Sequence, residues 1–363
     1  VLFRADRDVA LVGDAVGVAV LARAHRDIVG VVDAVAVAVG DVGGEDAEVV
    51  EPRLADRWCV EVAGAEPDAH VARERHAGAV EIGLVYAFVA IGVFLAFRVL
   101  DFPDLTVDGS FPLGAAVAAV MITSGIDPWT GCLAAILAGA VAGLVTAFLN
   151  QRFGILHLLA SILTMIALFS INLRIMGRPN VALINQQTVL TPFYGLGIPD
   201  YYVRPLVIFV LVIIVAFLVA RFLASDFGLA MRATGVNPKM ARAQGVRTGV
   251  HIYVGMALAN GLVGLAGALF AQTNGFADVT TGIGTIVVGL AAVIVGETLF
   301  RPRTIVLALI GCIVGSVIYR VAIQFALGAD AIGLKASDLN LVTAVLVAVA
   351  LILPRLRGRK AGT

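Results

Sequence analysis

From residue 81 onward the chain alternates between long apolar runs and short polar connections. Runs of about 20 apolar residues are long enough to cross a hydrocarbon layer as helices. They fall at 80–99, 109–125, 128–149, 155–176, 205–223, 250–272, 281–299, 303–326 and 337–353. The pattern predicts an all-α membrane helix bundle of about nine spans. Small residues recur at helix-packing spacing, as in Gly139 and Gly143, Gly255 and Ala259, Gly264 and Ala268, and Gly311 and Gly315. Such pairs let backbones approach closely in lipid. The longest polar interruption, 224–250, carries "RATGVNPKMARAQGV". There Asn237 can cap a helix N-terminus, Pro238 suits the first helical position, and Gly245 can close the other end left-handed. The spacing predicts a two-turn helix over 237–244.

The first eighty residues follow another rule. They contain no Ser, Thr, Asn, Gln, Lys, Met or Tyr, and their apolar stretches are short and broken by Asp. Folded domains use hydroxyl and amide residues for caps and turns. The expectation is that 1–79 is an extension from a mis-called start, or a disordered acidic segment, and that 80–363 is the transmembrane domain.

Composition and charge sharpen the class. Hydrophobic residues make up 60% of the chain, charged residues 14%, and mean hydropathy is +0.97. The net charge of zero hides a split: residues 1–80 hold 8 Arg and 15 acidic residues, the remainder 18 basic and 11 acidic. Of those 18, the alternation of spans puts 13 on one face: Arg98, Arg152, Arg221, Arg232, Lys239, Arg242, Arg247, Arg301, Arg303, Arg355, Arg357, Arg359 and Lys360. The positive-inside rule makes that face cytoplasmic. The expectation is a multi-pass protein of the bacterial inner membrane, N-terminus outside and C-terminus inside.

The chain has no G-x-x-x-x-G-K-[ST] run to hold nucleotide phosphates, and no embedded-protease or hydrolase motif. The histidines are scattered and the cysteines lack C-x-x-C spacing, so no metal site and buried reduced thiols are expected. Intramembrane ionisable residues are few, Glu297 and Arg320 chief among them. An ion pair of Glu297 with Arg301 or Arg303 is expected. This is a pathway without a motor. Reading 237–244 as a handle for a separate ATPase makes Arg232, Gly235, Asn237, Pro238, Met240, Ala241 and Gly245 the coupling residues. The other reading is a lipid anchor, with Arg232, Lys239, Arg242 and Arg247 on anionic headgroups.

The second cluster is "DFPDLTVDGS", with Asp101, Asp104, Thr106, Asp108 and Ser110 between two spans. One reading is a broken helix reaching the pathway, since non-helical backbone is tolerated at membrane depth where it lines a cavity. The other is a cytoplasmic turn in which Asp108 or Ser110 caps the second span. Other polar residues in spans, such as Ser161, Thr164 and Gln272, are expected to bond between helices. Asn172 and Asn260 are added to the pathway or hinge set.

"GLAMRATGVNPKMARAQGV" resembles the coupling segment of ABC-importer permeases of the branched-chain amino acid and ribose type, matching it at Gly228, Arg232, Ala233, Gly235, Asn237, Ala241 and Gly245. "LDFPDLTVDGSF" resembles a subgroup of these that accompanies binding proteins of tryptophan or other amino-acid type. The resemblance covers 81–363. It implies a non-enzymatic transport subunit that moves an amino acid or related solute by alternating access, with a sugar or nucleoside as the alternative substrate. It also implies two ATPase subunits carrying the ATP and Mg, a periplasmic or lipid-anchored solute-binding protein docking on 177–204, a homodimer in membrane lipid, and no nucleic acid. A stand-alone secondary transporter or channel is the alternative. On this reading Gly235→Arg or Ala241→Glu uncouples ATP hydrolysis from transport without unfolding the spans.

Overall fold

The computed structural model describes residues 69–327 apart from 185, 195–199 and 301. The chain divides into two units, Val1–Arg73 and Glu74–Thr363, and all elements from Glu74 on belong to the second. The expected ninth span, 337–353, and residues 1–68 lie outside the described residues. The boundary expected at 79/80 falls inside the first helix.

Helix α1 (Ala69–Val93) runs on as one π-helical stretch, Phe94–Val99. It is followed by α2 (Val107–Thr123), α3 (Pro128–Phe153) and α4 (His157–Met176). A strand β1 (Asn180–Ala182) precedes α5 (Asp200–Leu223). Next come α6 (Asp226–Val236), α7 (Pro238–Ala243) and α8 (Thr248–Asn274). Strand β2 (Phe276–Asp278) leads into α9 (Thr285–Phe300) and α10 (Ile305–Leu327). Among the described residues seven helices are long and apolar enough to cross a membrane. The expected second span is instead α2, whose 17 residues rise only about 25 Å. Of the nine expected spans, the eight within 69–327 are seven long helices and one short one.

Helices α1, α2 and α8 form the interior, with Phe88, Phe111 and Met256 fully buried. Helices α3, α4 and α5 turn apolar faces outward, including Leu137, Ile166 and Phe217, as helices bathed in lipid chains do. The small residues sit where helices touch. A methyl group built at Gly143 would lie 2.2 Å from the Met256 carbonyl oxygen, and one at Gly315 would lie 2.1 Å from that of Ala292. Lipid gives helices no hydrophobic reason to associate, so such close backbone contact supplies the attraction.

The connections sort into two ends. At one end β1 pairs antiparallel with β2, Asn180 opposite Asp278. Burial opposes ionisation of Asp278, but hydrogen bonds from Thr280 and Asn180 outweigh it and hold its carboxyl below the usual range. Gln272 binds the Val189 N–H and the Cys132 sulfur at this end. At the other end lie Arg98, Phe102, His157, α6, α7 and Glu297. Direction therefore alternates as the hydropathy pattern requires, and the basic residues Arg98, Arg232, Lys239, Arg242 and Arg247 share the second end.

The tightest contacts are at Gly114 and Gly267, where an added methyl group would lie 1.9 Å from the carbonyl oxygens of Gly264 and Phe111. Gly114→Val is expected to destabilise the bundle by about 3 kcal/mol or more, since backbone cannot step aside. Gly78→Ala, with nothing within 4 Å of the new methyl, is expected to be neutral or stabilising. Thermal unfolding in detergent separates the two.

Candidate functional site

The chain leaves α1 through a break, not a simple turn. The N–H groups of Leu100 and Phe102 donate to the carbonyls of Leu95 and Ala96, at 3.1 and 2.9 Å. Asp101 then takes a left-handed conformation, φ 53°, which Asp tolerates better than most residues. It is exposed, and the next ring, Phe102, packs 4.3 Å from His157 at the start of α4. Asp101 therefore stays at the end of the bundle, apart from the other residues of its cluster.

Three residues later the chain is deep inside. Asp104, Thr106, Ser110 and Asn260 are all 0% exposed, and the bonds among them account for that burial. The Thr106 N–H donates to Asp104 Oδ1 at 2.9 Å, a local turn just ahead of α2. Asn260 Nδ2 donates to Asp104 Oδ2 at 2.7 Å, and Ser110 Oγ donates to Asn260 Oδ1 at 2.7 Å. The Thr106 and Thr146 hydroxyls share a bond of 2.7 Å. Asn260 lies about 18 Å along α8 from Thr248, so α2 starts at that depth. One amide side chain thus ties Asp104, near the end of the break, to Ser110 in α2. Asp101 is thus exposed, while Asp104, Thr106 and Ser110 lie buried in the bundle.

Asp108 does not cap its own helix. Its carboxylate accepts the N–H groups of Gly284 and Ile286, at 3.2 and 2.8 Å, and so caps α9. Gly284, at φ 84°, makes the turn that brings those groups round. The interior start of α9, with the positive end of its dipole, is therefore held by Asp108, while Asp104 of the same segment holds the turn that leads into α2. Asn172 reaches the same segment from α4, donating to the Gly109 carbonyl at 3.2 Å, while its buried Oδ1 has no hydrogen-bond partner.

Some expectations need correction. Ser161 and Thr164 bond carbonyls of their own helix, not a neighbour. Glu297 pairs with Arg98, whose Nε is 2.7 Å away, so the pair joins α9 to α1; of the expected partners, Arg301 lies outside the described residues. Thr146 was missed because one hydroxyl in an apolar helix carries no spacing signal.

The predicted short helix is α7, Pro238–Ala243. Asn237 Oδ1 accepts the N–H groups of Lys239 and Met240 at 3.1 and 3.0 Å, Pro238 opens the helix, and Gly245 adopts φ 84°. Ala241 is buried, while Val236 and Met240 are 89% and 63% exposed and make the outward face. Helix α6 wedges under it. A methyl group at Gly235 would lie 2.0 Å from the Val99 carbonyl oxygen, and Met231 packs beside Gly255 of α8. Arg232 is partly buried in this wedge, its Nε without a hydrogen-bond partner. Gly235 and Ala241 are thus packing positions, and an added side chain at either disturbs the wedge itself. So α6 rests on Val99 and Leu100, the residues that enter the break.

Asn260→Ala is expected to leave Asp104 Oδ2 and Ser110 Oγ unpaired and to cost about 2 kcal/mol or more. It should lower the melting temperature, while Ser170→Ala on the exposed face of α4 should not. Equal melting of both variants would mean the clasp holds nothing.

Comparisons with known proteins agree with this architecture. The family described as "Branched-chain amino acid transport system / permease component" matches residues 78–353. A tyrosine transport system permease protein of Clostridioides difficile (strain R20291) is 39% identical over 265 residues, 73% of this chain and 86% of that one. An uncharacterised protein of Rickettsia prowazekii (strain Madrid E) is 32% identical over 263 residues, 71% and 91% of the two chains. Among solved structures, PsaBC from Streptococcus pneumoniae in complex with Fab covers 82% of this chain and 95% of its own at 14% identity, but its TM-score of 0.44 is too low to bear on the fold. With the match spanning every helix described from residue 78 on, the chain belongs to the family of branched-chain amino acid transport-system permease components.

Proposed function

We propose that this chain is the membrane subunit of a binding-protein-dependent ABC importer for amino acids. The observation that carries the reading is the rigid α6–α7 unit, capped at Asn237 and wedged on Val99 and Leu100. Its outward face, Val236 and Met240, is apolar and ringed by Lys239, Arg242 and Arg247. A short helix of this kind suits a cleft on a separate ATPase, which would supply ATP and Mg. The basic end of the bundle is then cytoplasmic, and the chain sits N-terminus out in the bacterial inner membrane.

Two copies of the chain, two ATPase subunits and a periplasmic or lipid-anchored binding protein make the working assembly. The binding protein docks on the outer loops around 177–204. Closure of the ATPases pushes α7. Helix α6 passes the push to Val99 and Leu100, and so to the break clasped by Asn260. The family description and the relative's name, a tyrosine transport permease, favour an amino acid over a sugar or nucleoside.

A tagged chain, gently solubilised with its native partners, is expected to bring down a stoichiometric P-loop ATPase. Met240→Glu, on the exposed face of α7, should cut the recovered ATPase by about 10-fold or more, the worth of one buried interface anchor. Its melting temperature should match wild type. A stable assembly of this chain alone that still moves solute would contradict the proposal and leave α7 a lipid anchor in a stand-alone transporter or channel.

A further inference from the structure

Helices α9 and α10 are packed as one piece. A methyl group built at Gly296 would lie 2.1 Å from the Gly311 carbonyl oxygen, so the two backbones touch. This piece is pinned at the start of α9. There Asp108 accepts the N–H groups of Gly284 and Ile286, and a methyl group at Gly282 would lie 2.0 Å from the Asp108 carbonyl oxygen. Midway along α9 the contact with α1 is softer, because Gly289 faces the side-chain methyl groups of Val89 and Val93 and not backbone. Glu297 lies about 16 Å along α9 from Ile286. At that basic end α9 is held to α1 through the tips of two long side chains. Arg98 Nε donates to Glu297 Oε1 at 2.7 Å, and Arg98 Nη2 donates to Glu297 Oε2.

This pair is placed to break and reform. Its side chains are 57% and 21% exposed. Water screens such a pair, so it adds little stability, and it parts without leaving a buried charge behind. Arg98 also stands in the π-helical stretch Phe94–Val99, where the Leu100 N–H donates to the Leu95 carbonyl at 3.1 Å. A π turn bonds residues five apart where an α turn bonds residues four apart, and such stretches are frequent at functional positions. Val99, the next residue in the chain, is the one on which Gly235 of α6 rests. A push on α6 therefore falls on the peptide that follows Arg98.

We propose that Arg98 and Glu297 are coupling residues that form a latch, closed in this structure. The latch releases when α6 displaces Val99, and the basic ends of α9 and α10 then swing from α1 about their anchor at Asp108. Two parallel bonds between a planar fork and a carboxylate define one closed position, and a short displacement of Val99 spoils both. The latch rests on the importer reading and extends it: the push from α7 reaches a second pair of helices as well as the break.

The first measurement uses the chain alone in nanodiscs, so that it needs no ATPase. In Glu297→Gln, hydrogen exchange is expected to rise about 2- to 5-fold at 293–300 and 95–100, the effect of losing one half-exposed pair. Exchange at 284–288, held by Asp108, should stay at the wild-type rate. Arg98→Glu should act in the same way, and the double variant Arg98→Glu/Glu297→Arg should return both segments toward wild type. A pair that only fills space would not be rescued by exchanging its charges. The second measurement uses the chain assembled with its ATPases. Arg98→Cys/Glu297→Cys is bridged with a short bis-methanethiosulfonate, Cys132 and Cys312 being buried, and each single-cysteine variant is treated alike. Bridging is expected to stop ATP hydrolysis by the assembly, and dithiothreitol to restore it. Wild-type exchange in Glu297→Gln, no rescue by the charge exchange, or full ATP hydrolysis in the bridged assembly overturns the latch. Charge-rescued exchange in a chain that recovers no ATPase would uphold the latch and sink the importer reading.

Discussion

Backbone that leaves the helix inside an apolar bundle must find polar partners there, because lipid offers none. This constraint governs the centre of the molecule. Residues 100–106 leave α1 and re-enter as α2 in the interior, and their polar groups are met by Asp104, Thr106, Thr146 and Asn260. Without that set the short helix α2 could not begin where it does. The same demand recurs at α9, whose interior start is met by Asp108 from the same segment. The glycine contacts of α8 with α2 and α3 then bring the partners close enough for bonds of 2.7 Å.

The consequence is a linked interior. Helix α6 presses on the last residues of α1 through Gly235. The break follows at once, and its far side, at Asp104 and Ser110, is joined to α8 by one amide. A displacement of α7 has a short, well-packed route to the level of Asp104 and Ser110. Helices α9 and α10 pack closely on one another through Gly296 and Gly311 and meet α1 through the Arg98–Glu297 pair. Asp108 is the point where the break and that pair of helices touch. The fold therefore places its few polar groups at the joints between parts.

Much of this was legible in the residues. Asn237, Pro238 and Gly245 announced α7, because capping and left-handed closure depend on local chemistry alone. Apolar run length gave the helices and their alternating direction. The cluster Asp104, Thr106, Asp108 and Ser110 was visible as an anomaly, a polar segment between spans. What sequence could not give was which groups meet across the bundle. That Asn260 faces Asp104 and Ser110, 156 and 150 residues away, depends on how α2 and α8 lie together. That Glu297 meets Arg98, 199 residues away, depends on packing in the same way. Gly235 matched a family pattern, but its meaning as a packing contact appears only with Val99 beside it.

The central claim is that motion of α7 reaches the interior break. Hydrogen exchange on the assembled transporter, with the ATPases open and then trapped closed by nucleotide, tests it directly. The account predicts that protection changes at 237–244 and at 100–106 together, with little change in α3 at 135–145. A change confined to 237–244, with 100–106 exchanging identically in both states, would contradict it.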